Sequence, residues 1–373
     1  MSPAHTGPGP LVPNARVLYT LSMNHHAIGL ALISAALFGL STPASKTLLG
    51  AVDPAVLAGL LYCGAGLGVA LLRRVAKPVI ASELAIETPL GAADWPWLAG
   101  AIAAGGVIGP LLLMLGLART DAATASLLLT LEGVATALLA WFVFHVSFDR
   151  RIASGMACLV AGALVLSWSG QPTLSGLLGP LAITGACMAW GLDNNLTRKV
   201  SLADPLQIVE LKGLIAGPVN LAIGLAAGGS LPALSPLLIA GLVGFLGIGV
   251  SLALFVLALR HLGTARTGAY FSTAPFVGTV AAVLFLREPV TLQLLAAGVL
   301  MAAGIWLHLT EDHEHDQVHE PLEHAHSHVH DAHHQHVHDA DDPPGEPHTH
   351  LHRHERLRHR HAHVPDMHHT HRH

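Results

Sequence analysis

Long apolar stretches, separated by short polar segments or by glycine and proline, recur along most of the chain. A helix that crosses a bilayer needs about 20 predominantly apolar residues. The stretches that satisfy this length are residues 27–49, 54–74, 95–117, 121–145, 151–169, 176–197, 206–228, 235–259, 264–286 and 290–309. The pattern predicts an all-α integral membrane protein of about ten transmembrane helices, with the lipid bilayer as its main partner.

The composition agrees with this pattern, because 52% of the residues are hydrophobic, only 12% are charged and the mean hydropathy is +0.53. These values exclude an ordinary soluble domain of this length. Cys63, Cys158 and Cys187 lie inside apolar stretches without CxxC spacing, so neither a disulfide framework nor a thiolate zinc site is indicated. Residues 1–26 are rich in proline and glycine and predict a disordered leader without a secretory signal.

The distribution of Lys and Arg between the loops predicts the orientation in the membrane. With a cytoplasmic N-terminus, the cytoplasmic loops carry Arg16, Arg73, Arg74, Lys77, Arg150, Arg151, Arg198, Lys199, Arg260 and Arg266. The opposite side then carries Lys46, Arg119 and Arg287. The excess on one side predicts that both termini are cytoplasmic and that the protein is a multi-pass protein of the cell membrane.

The two halves of the apolar region resemble each other at a shift of 143 residues. This shift aligns TASLLLTLEGVATALLAWFVFHVSFDRRIASG with TGAYFSTAPFVGTVAAVLFLREPVTLQLLAAG without a gap, so that Thr124 meets Thr267 and His145 meets Glu288. A unit of five helices reverses its orientation when it is repeated, so the second unit is predicted to be inverted. The predicted domains are a leader at 1–26, repeats at 27–169 and 176–309, and a tail at 310–373.

The two-unit pattern resembles the EamA family of the drug/metabolite transporter superfamily over about residues 27–309. The resemblance rests on the aromatic-glycine pairs Phe38-Gly39 and Trp190-Gly191, on the segment STAPFVGTVAAVLFLREP, and on the glycine-rich last helix of each unit. It implies ten helices with both termini in the cytoplasm, and secondary active transport that mostly exports small metabolites.

One position separates the two units chemically, because Glu132 stands where the second unit has Pro275. An acidic residue midway along a span usually faces a bundle interior or a water-filled path. In transporters built from inverted repeats, substrate and coupling-ion sites lie near the bilayer midplane, between the units. We expect Glu132 to line a central cavity and to exchange a proton for the solute. The alternative is an acid that joins helices by pairing with Lys212 or a hydroxyl group.

Further polar residues cluster toward the predicted cytoplasmic ends of the sixth and seventh spans. The predicted substrate and coupling-ion residues are Glu132, Asp193, Asn194, Asn195, Glu210 and Lys212. A capping role at the end of the sixth helix is the alternative for Asp193. Glu210 and Lys212 are two residues apart and point in different directions on a helix, so one is expected to face the cavity and the other to reach the lipid headgroups.

The segment that follows the last span is rich in histidine: 22 of the 28 histidines lie between His313 and His373. With few large apolar residues, this tail is predicted to be disordered. Imidazole binds Ni, Co, Zn and Cu, and the tail offers many overlapping sets of ligands. The predicted ligands are His313, His315, His324, His326, His328, His330, His333, His334, His336, His338, His348, His350, His352, His354, His359, His361 and His363.

Three functions compete on this evidence. The body exports a divalent transition metal such as Co, Ni or Zn that the tail gathers, or it exports an amino-acid-like or metal-chelating metabolite while the tail regulates or buffers. The third possibility is a membrane-anchored metal-binding protein without transport. The sequence lacks HExxH, GxSxG and P-loop motifs, so we expect no enzymatic activity. We also expect no required cofactor, no nucleic-acid partner, and a monomer or homodimer.

Overall fold

The computed structural model describes residues 15–75, 90–143, 150–168, 174–200, 204–309, 313–319, 322–328, 348–354 and 357–363. The body of the protein is helical. Its α-helices are α1 (Ala15–Leu48), α2 (Pro54–Val75), α3 (Trp95–Ala101), α4 (Gly109–Leu117), α5 (Ala122–Leu128), α6 (Leu131–Phe142), α7 (Arg150–Ser167), α8 (Leu174–Thr197), α9 (Pro205–Ala226), α10 (Leu234–Gly244), α11 (Ser251–Phe271), α12 (Ala274–Phe285) and α13 (Leu292–Leu309). Two π-helical segments, π1 (Ile102–Ile108) and π2 (Phe245–Val250), join α3 to α4 and α10 to α11. Short 3-10 turns cover Ala92–Asp94 and Arg198–Val200.

Seven helical segments of the described residues are long and apolar enough to cross a membrane, and two shorter apolar helices accompany them. The seven are His26–Leu48, Pro54–Val75, Ala92–Leu117, Ala122–Phe142, Leu206–Ala226, Leu234–Ala258 and Thr267–Phe285. This confirms the all-α membrane fold. The exact number of ten separate helices stays a prediction, because α11 continues through residues 260–263, where a loop was expected. That stretch contains no proline, and its one glycine, Gly263, lowers helix propensity without ending the helix.

The second helix of each unit begins at an Asp-Pro pair. Asp204 caps α9 by accepting hydrogen bonds from the backbone N–H groups of Leu206 and Gln207, at 2.8 and 3.3 Å. Asp53 similarly accepts a bond of 3.0 Å from the N–H group of Ala55. Proline is favourable at the first helical position, where its missing N–H would have no partner in the helix. The same local chemistry therefore starts α2 and α9.

The internal duplication is visible in the irregular parts of the helices. The π-helical segments begin at Ile102 and Phe245, and α6 and α12 begin at Leu131 and Ala274, so both pairs are separated by the interval of 143 residues that aligns the sequences. The fourth span of the first unit is broken before Leu131, and its counterpart is broken before Ala274. These departures from regular helix lie at equivalent positions, which indicates that the two units share one backbone design.

Two charged side chains fasten one end of the bundle, which we call the Lys46 end. The Lys46 Nζ donates hydrogen bonds of 2.7 and 2.8 Å to the carbonyl oxygens of Leu117 and Thr120, at the end of α4. Glu288 accepts bonds of 2.7 Å from the backbone N–H groups of Ala122 and Ala123, which open α5. Each charge is opposite in sign to the helix end that it contacts, which is the favourable arrangement.

The leader differs from the sequence prediction. We expected disorder through residue 26, but α1 begins at Ala15, and only residues 1–14 of the leader lie outside the described part of the chain. The physical reason is the local sequence: after Pro13, residues 15–26 contain neither proline nor glycine.

Four segments of the tail also differ from the predicted disorder. They form β1 (His313–His319), β2 (Leu322–His328), β3 (His348–His354) and β4 (Leu357–His363). β1 pairs with β4 and β2 with β3, both antiparallel. Histidine alternates with other residues in these segments, and a period of two is the period of a strand. The predicted ligands His330, His333, His334, His336 and His338 lie outside the described residues.

Candidate functional site

The broken fourth span of the first unit places a carboxylate in the first turn of a new helix. Thr130 ends the break by donating a side-chain hydrogen bond of 2.8 Å to the carbonyl oxygen of Leu127. α6 then begins at Leu131, so Glu132 lies in its first turn. Broken helices of this kind form the substrate and ion sites of many transporters. The break therefore marks Glu132 as the starting point of the candidate site.

Glu132 contacts a neutral partner from the second unit. The Nδ2 of Asn194, on α8, donates hydrogen bonds of 2.9 Å to the Glu132 carboxylate and 3.1 Å to the hydroxyl group of Thr136. Thr136 in turn donates a bond of 2.8 Å to the carbonyl oxygen of Glu132. The carboxylate is therefore held in place by an amide rather than by a cation, which leaves its charge available to a ligand.

A lysine-aspartate pair lies in the same region, where π1, α8 and α9 meet. Lys212 Nζ donates to Asp193 Oδ1, and the two side chains are only 16% and 11% exposed. Thr197 completes the group, since its hydroxyl group donates to Asp193 at 2.8 Å and accepts from Lys212 at 3.1 Å. Lys212 therefore pairs with Asp193 and not with Glu132, contrary to the alternative considered for Glu132 from the sequence.

The approach of Asp193 to π1 requires a glycine at position 105. A Cβ atom on Gly105 would lie 1.9 Å from Asp193 Oδ2, far inside van der Waals contact.

Side chains from neighbouring helices bind the carbonyl groups of π1. The Gly105 carbonyl oxygen accepts hydrogen bonds from the hydroxyl group of Tyr62 at 2.8 Å and from Nε1 of Trp190 at 2.9 Å. The Nδ2 of Asn220 likewise donates a hydrogen bond of 2.9 Å to the carbonyl oxygen of Gly106. Side chains thus bind the carbonyl groups of the irregular π-helical segment.

Tyr62, Trp190 and Asn220 were not among the predicted site residues. Of these three residues, Asn220 could have been noticed in the sequence, because it is a lone amide in an apolar span. The structure shows that it is completely buried. It also lies eight residues, or about two turns, from Lys212 on α9, so both residues are on the face that meets π1. Sequence alone gave no indication of π1, which is the element that gives these three donors a common target.

The remaining predicted residues lie outside this group. Glu210 is paired with Arg73 of α2, and the same guanidinium binds Asp204 at 2.7 Å. Glu210 and Lys212 do not pair with each other, in agreement with their two-residue spacing, but neither was expected to form the ion pair seen here: one was expected to reach the lipid headgroups, and both bind charged side chains of the protein instead. Asn195 Nδ2 donates bonds of 3.0 and 2.8 Å to the carbonyl oxygens of Thr136 and Gly191, so its amide joins α8 to α6.

The described residues contain no group of three or more His, Cys, Asp or Glu side chains that could hold a metal ion. Within the site itself the ammonium group of Lys212 opposes a bound cation. The arrangement instead offers two carboxylates, those of Glu132 and Asp193, and one ammonium group, that of Lys212, together with the aromatic side chains of Tyr62 and Trp190. Such a set suits an organic molecule that carries both charges.

Replacing Gly105 by alanine tests the close contact between π1 and Asp193. We expect Gly105→Ala to lower the free energy of unfolding by about 1–3 kcal/mol and to impair transport, because Asp193 must move away from Lys212. The measurements are thermal unfolding in detergent and solute flux in proteoliposomes. Gly133→Ala is the matched control, since a Cβ atom at Gly133 meets nothing within 4 Å. Equal behaviour of the two variants would contradict the prediction.

Comparison with known proteins identifies the family. The sequence matches the EamA-like transporter family twice, at residues 25–168 and 177–310. An uncharacterized transporter of Methanothermobacter thermautotrophicus is 28% identical over 284 residues, which cover 72% of this chain and 82% of that protein. A probable amino-acid metabolite efflux pump of Salmonella typhimurium is 28% identical over 208 residues, covering 50% of this chain and 67% of that protein.

A solved structure described as "Crystal structure of protein" superposes with a TM-score of 0.55 at 18% identity, covering 75% of this chain and 95% of that chain. At this identity the similarity shows the fold alone. The family match itself spans both predicted repeats and most of the chain. The protein therefore belongs to the EamA-like transporter family, as the resemblance predicted, and is a multi-pass membrane transporter of a small solute.

Proposed function

We propose that this protein exports a small zwitterionic organic solute, resembling an amino acid, by secondary active transport across the cell membrane with both termini in the cytoplasm. The observation that carries the proposal is the pair of opposite charges contributed by the two units. Glu132 comes from the first unit and is held by a neutral amide, and Lys212 comes from the second and is held by Asp193. The efflux relative of Salmonella typhimurium is named for amino-acid metabolites, which supports the same class.

The proposed solute binds by replacing the groups that now contact Glu132 and Lys212. The ammonium group of a zwitterion displaces the Asn194 amide from Glu132, and its carboxylate competes with Asp193 for Lys212. A solute that carries only a negative charge leaves Glu132 without a cation and brings a third negative group to a site that already holds Glu132 and Asp193, which is unfavourable. The site therefore discriminates against anionic solutes.

Solute export is coupled to the proton gradient through the carboxyl group of Glu132. A carboxyl group that binds the solute's ammonium in one state and a proton in the other makes release of the solute depend on protonation. Alternating exposure of the site then converts a proton gradient into solute export. Asp193 and Asn194 follow each other on α8, so a movement of this helix changes the partners of Glu132 and Lys212 together.

The tail is proposed to bind transition-metal ions on the cytoplasmic side as a regulator or buffer. The strand register places histidines directly opposite one another in His313/His363, His315/His361, His324/His352, His326/His350 and His328/His348. Opposed positions on paired antiparallel strands are about 5 Å apart between Cβ atoms. Imidazole is a ligand that suits Ni, Co and Zn. The tail thus adds a metal-binding capacity to a body whose described residues show none.

The deciding experiment is counterflow in proteoliposomes with an imposed pH gradient. It compares radiolabelled L-alanine and L-serine with Co²⁺, Ni²⁺ and Zn²⁺, using the full chain and a chain truncated after Leu309. We expect saturable amino-acid flux with both chains, metal binding only by the full chain, and no metal flux. Metal flux that survives truncation and is lost in Glu132→Gln would contradict the proposal and make the body a metal transporter.

A further inference from the structure

A proline changes the hydrogen bonding of π1 at its end. A helical carbonyl group accepts a hydrogen bond from the N–H group four residues ahead in an α-helix and five residues ahead in a π-helix. The last π-helical bond joins the N–H group of Gly109 to the carbonyl group of Ala104. The next donor along the chain is Pro110, which has no N–H group. The Gly105 carbonyl therefore loses its π-helical donor, and the Gly106 carbonyl loses its α-helical donor.

Side chains of three other helices supply the donors for these two buried carbonyl groups. Asn220 of α9 binds the carbonyl oxygen of Gly106 at 2.9 Å. Tyr62 of α2 and Trp190 of α8 bind that of Gly105 at 2.8 and 2.9 Å. Inside a membrane an irregular helix persists where neighbouring elements bind its freed backbone groups. The three side chains therefore stabilise π1 at the point where the proline interrupts its backbone bonds.

The second unit lacks both the proline and the amide. The shift of 143 residues places Ala253 opposite Pro110, and alanine has an N–H group, so π2 keeps the backbone donor that π1 loses. The Asp-Pro pairs that open α2 and α9 align Val69 with Asn220. Val69 lies beside π2, because a Cβ atom on Gly249 would be 3.0 Å from its Cγ2. The equivalent side chain is thus an amide in the unit with the proline and apolar in the unit without it.

An amide is costly at the position of Asn220. The side chain is completely buried, and no described residue provides a hydrogen-bond partner for its Oδ1. A buried polar atom without a partner destabilises the fold and calls for an explanation. Valine, as at position 69, would not have this cost. The hydrogen bond from Nδ2 to π1 is therefore the contribution that accounts for an amide here.

We propose that Asn220 is a positioning residue of the solute site, which holds π1 against Asp193 and thereby keeps Lys212 in place for the carboxylate of the solute. The inference rests on the proposed function, which assigns that carboxylate to Lys212. The connection is steric, because Gly105 leaves no room for a Cβ atom beside the Asp193 carboxylate, and this carboxylate binds the Lys212 Nζ. A shift of π1 therefore displaces the ammonium group, although Asn220 does not contact the solute.

The test separates KM, the L-alanine concentration that gives half-maximal counterflow, from the maximal rate. Asn220→Val should raise KM about threefold to tenfold, the effect of losing one hydrogen bond, because Lys212 is misplaced. A variant that only folds less completely lowers the maximal rate and leaves KM unchanged. Tyr62→Phe keeps the ring and removes one of the two donors to Gly105, so its KM should rise less. It also provides the measurement if Asn220→Val does not fold.

Pro110→Ala supplies the missing N–H group and tests the cause of the dependence on Asn220. In the double variant Pro110→Ala/Asn220→Val the backbone donates to the Gly106 carbonyl. Its KM should therefore lie within about twofold of that of Pro110→Ala alone. Ser34→Ala is the matched control, because it also removes a buried bond to a backbone carbonyl, that of Ser251 at 2.7 Å, between α1 and α11. It should leave KM unchanged.

The outcomes distinguish the positioning role from the proposed function. If the wild type transports L-alanine and KM is unchanged in both Asn220→Val and Tyr62→Phe, the positioning role is wrong and the proposed function stands. An Asn220→Val effect that is as large in the Pro110→Ala background, or an equal rise of KM in Ser34→Ala, would also overturn the positioning role. Absence of L-alanine flux in the wild type would overturn the proposed function and the positioning role together.

Discussion

Glu132→Gln is expected to reduce solute flux about 30-fold or more, because it removes the charge proposed to pair with the ammonium group of the bound solute, and losing one member of such a pair costs about 2–5 kcal/mol. The glutamine keeps the size of the side chain and an oxygen that accepts the Asn194 hydrogen bond, so the fold should persist. The flux that remains should no longer respond to an imposed pH gradient. The measurement is counterflow in proteoliposomes, with thermal unfolding in detergent to verify folding.

Asp121→Asn is the control for Glu132→Gln. It makes the same chemical change at an exposed carboxylate that precedes α5 and makes no side-chain capping bond there. Its flux should equal that of the wild type. If Glu132→Gln retains wild-type flux with an intact pH response, then Glu132 neither binds the ammonium group nor carries the coupling proton.

The second large effect concerns the pair formed by Lys212 and Asp193. Lys212→Met leaves the Asp193 carboxylate in a site where it is only 11% exposed. Breaking a buried pair in this way costs about 3–5 kcal/mol, so we expect a large loss of the free energy of unfolding together with loss of flux. Thermal unfolding and counterflow are measured on the same preparations.

The double variant Asp193→Asn/Lys212→Met separates the two losses. It removes both charges, and it should therefore recover most of the stability, since neutral replacements of a buried pair are often tolerated. Flux should remain lost, because the positive group for the solute's carboxylate is absent. Recovery of flux along with stability would show that the pair serves only to hold α8 against α9.

The sequence predicted the chemistry of the site better than its geometry. Glu132 stood out because an acid midway along a span is costly. That Glu210 and Lys212 do not pair with each other followed from helical spacing, whereas their partners Arg73 and Asp193 were not predicted. The partner of Glu132 was not predicted, because the partners considered were Lys212 and a hydroxyl group, whereas the packing of α8 against α6 brings Asn194 to the carboxylate.

The π-helical segment π1 could not be predicted from the pattern of apolar residues. Neither α3 nor π1 contains a charged residue, so no polar position marks the change in hydrogen bonding at Ile102. Because π1 was not foreseen, the roles of Tyr62, Trp190 and Asn220 were not foreseen either. The opposite error occurred at residues 260–263, where a charged residue, a histidine and a glycine suggested a loop and the helix continues.

The contacts of Lys46 and Glu288 should restrict sequence variation among relatives less than those of Arg73. Lys46 and Glu288 bind backbone groups. Every residue has a backbone carbonyl group and every residue except proline has an N–H group. Substitutions in the connection at 118–121 should therefore leave these hydrogen bonds intact. Arg73 instead binds the side chains of Asp204 and Glu210. A change at any of these three positions needs a matching change elsewhere. Covariation between relatives should therefore be strong around Arg73 and weak around the partners of Lys46 and Glu288.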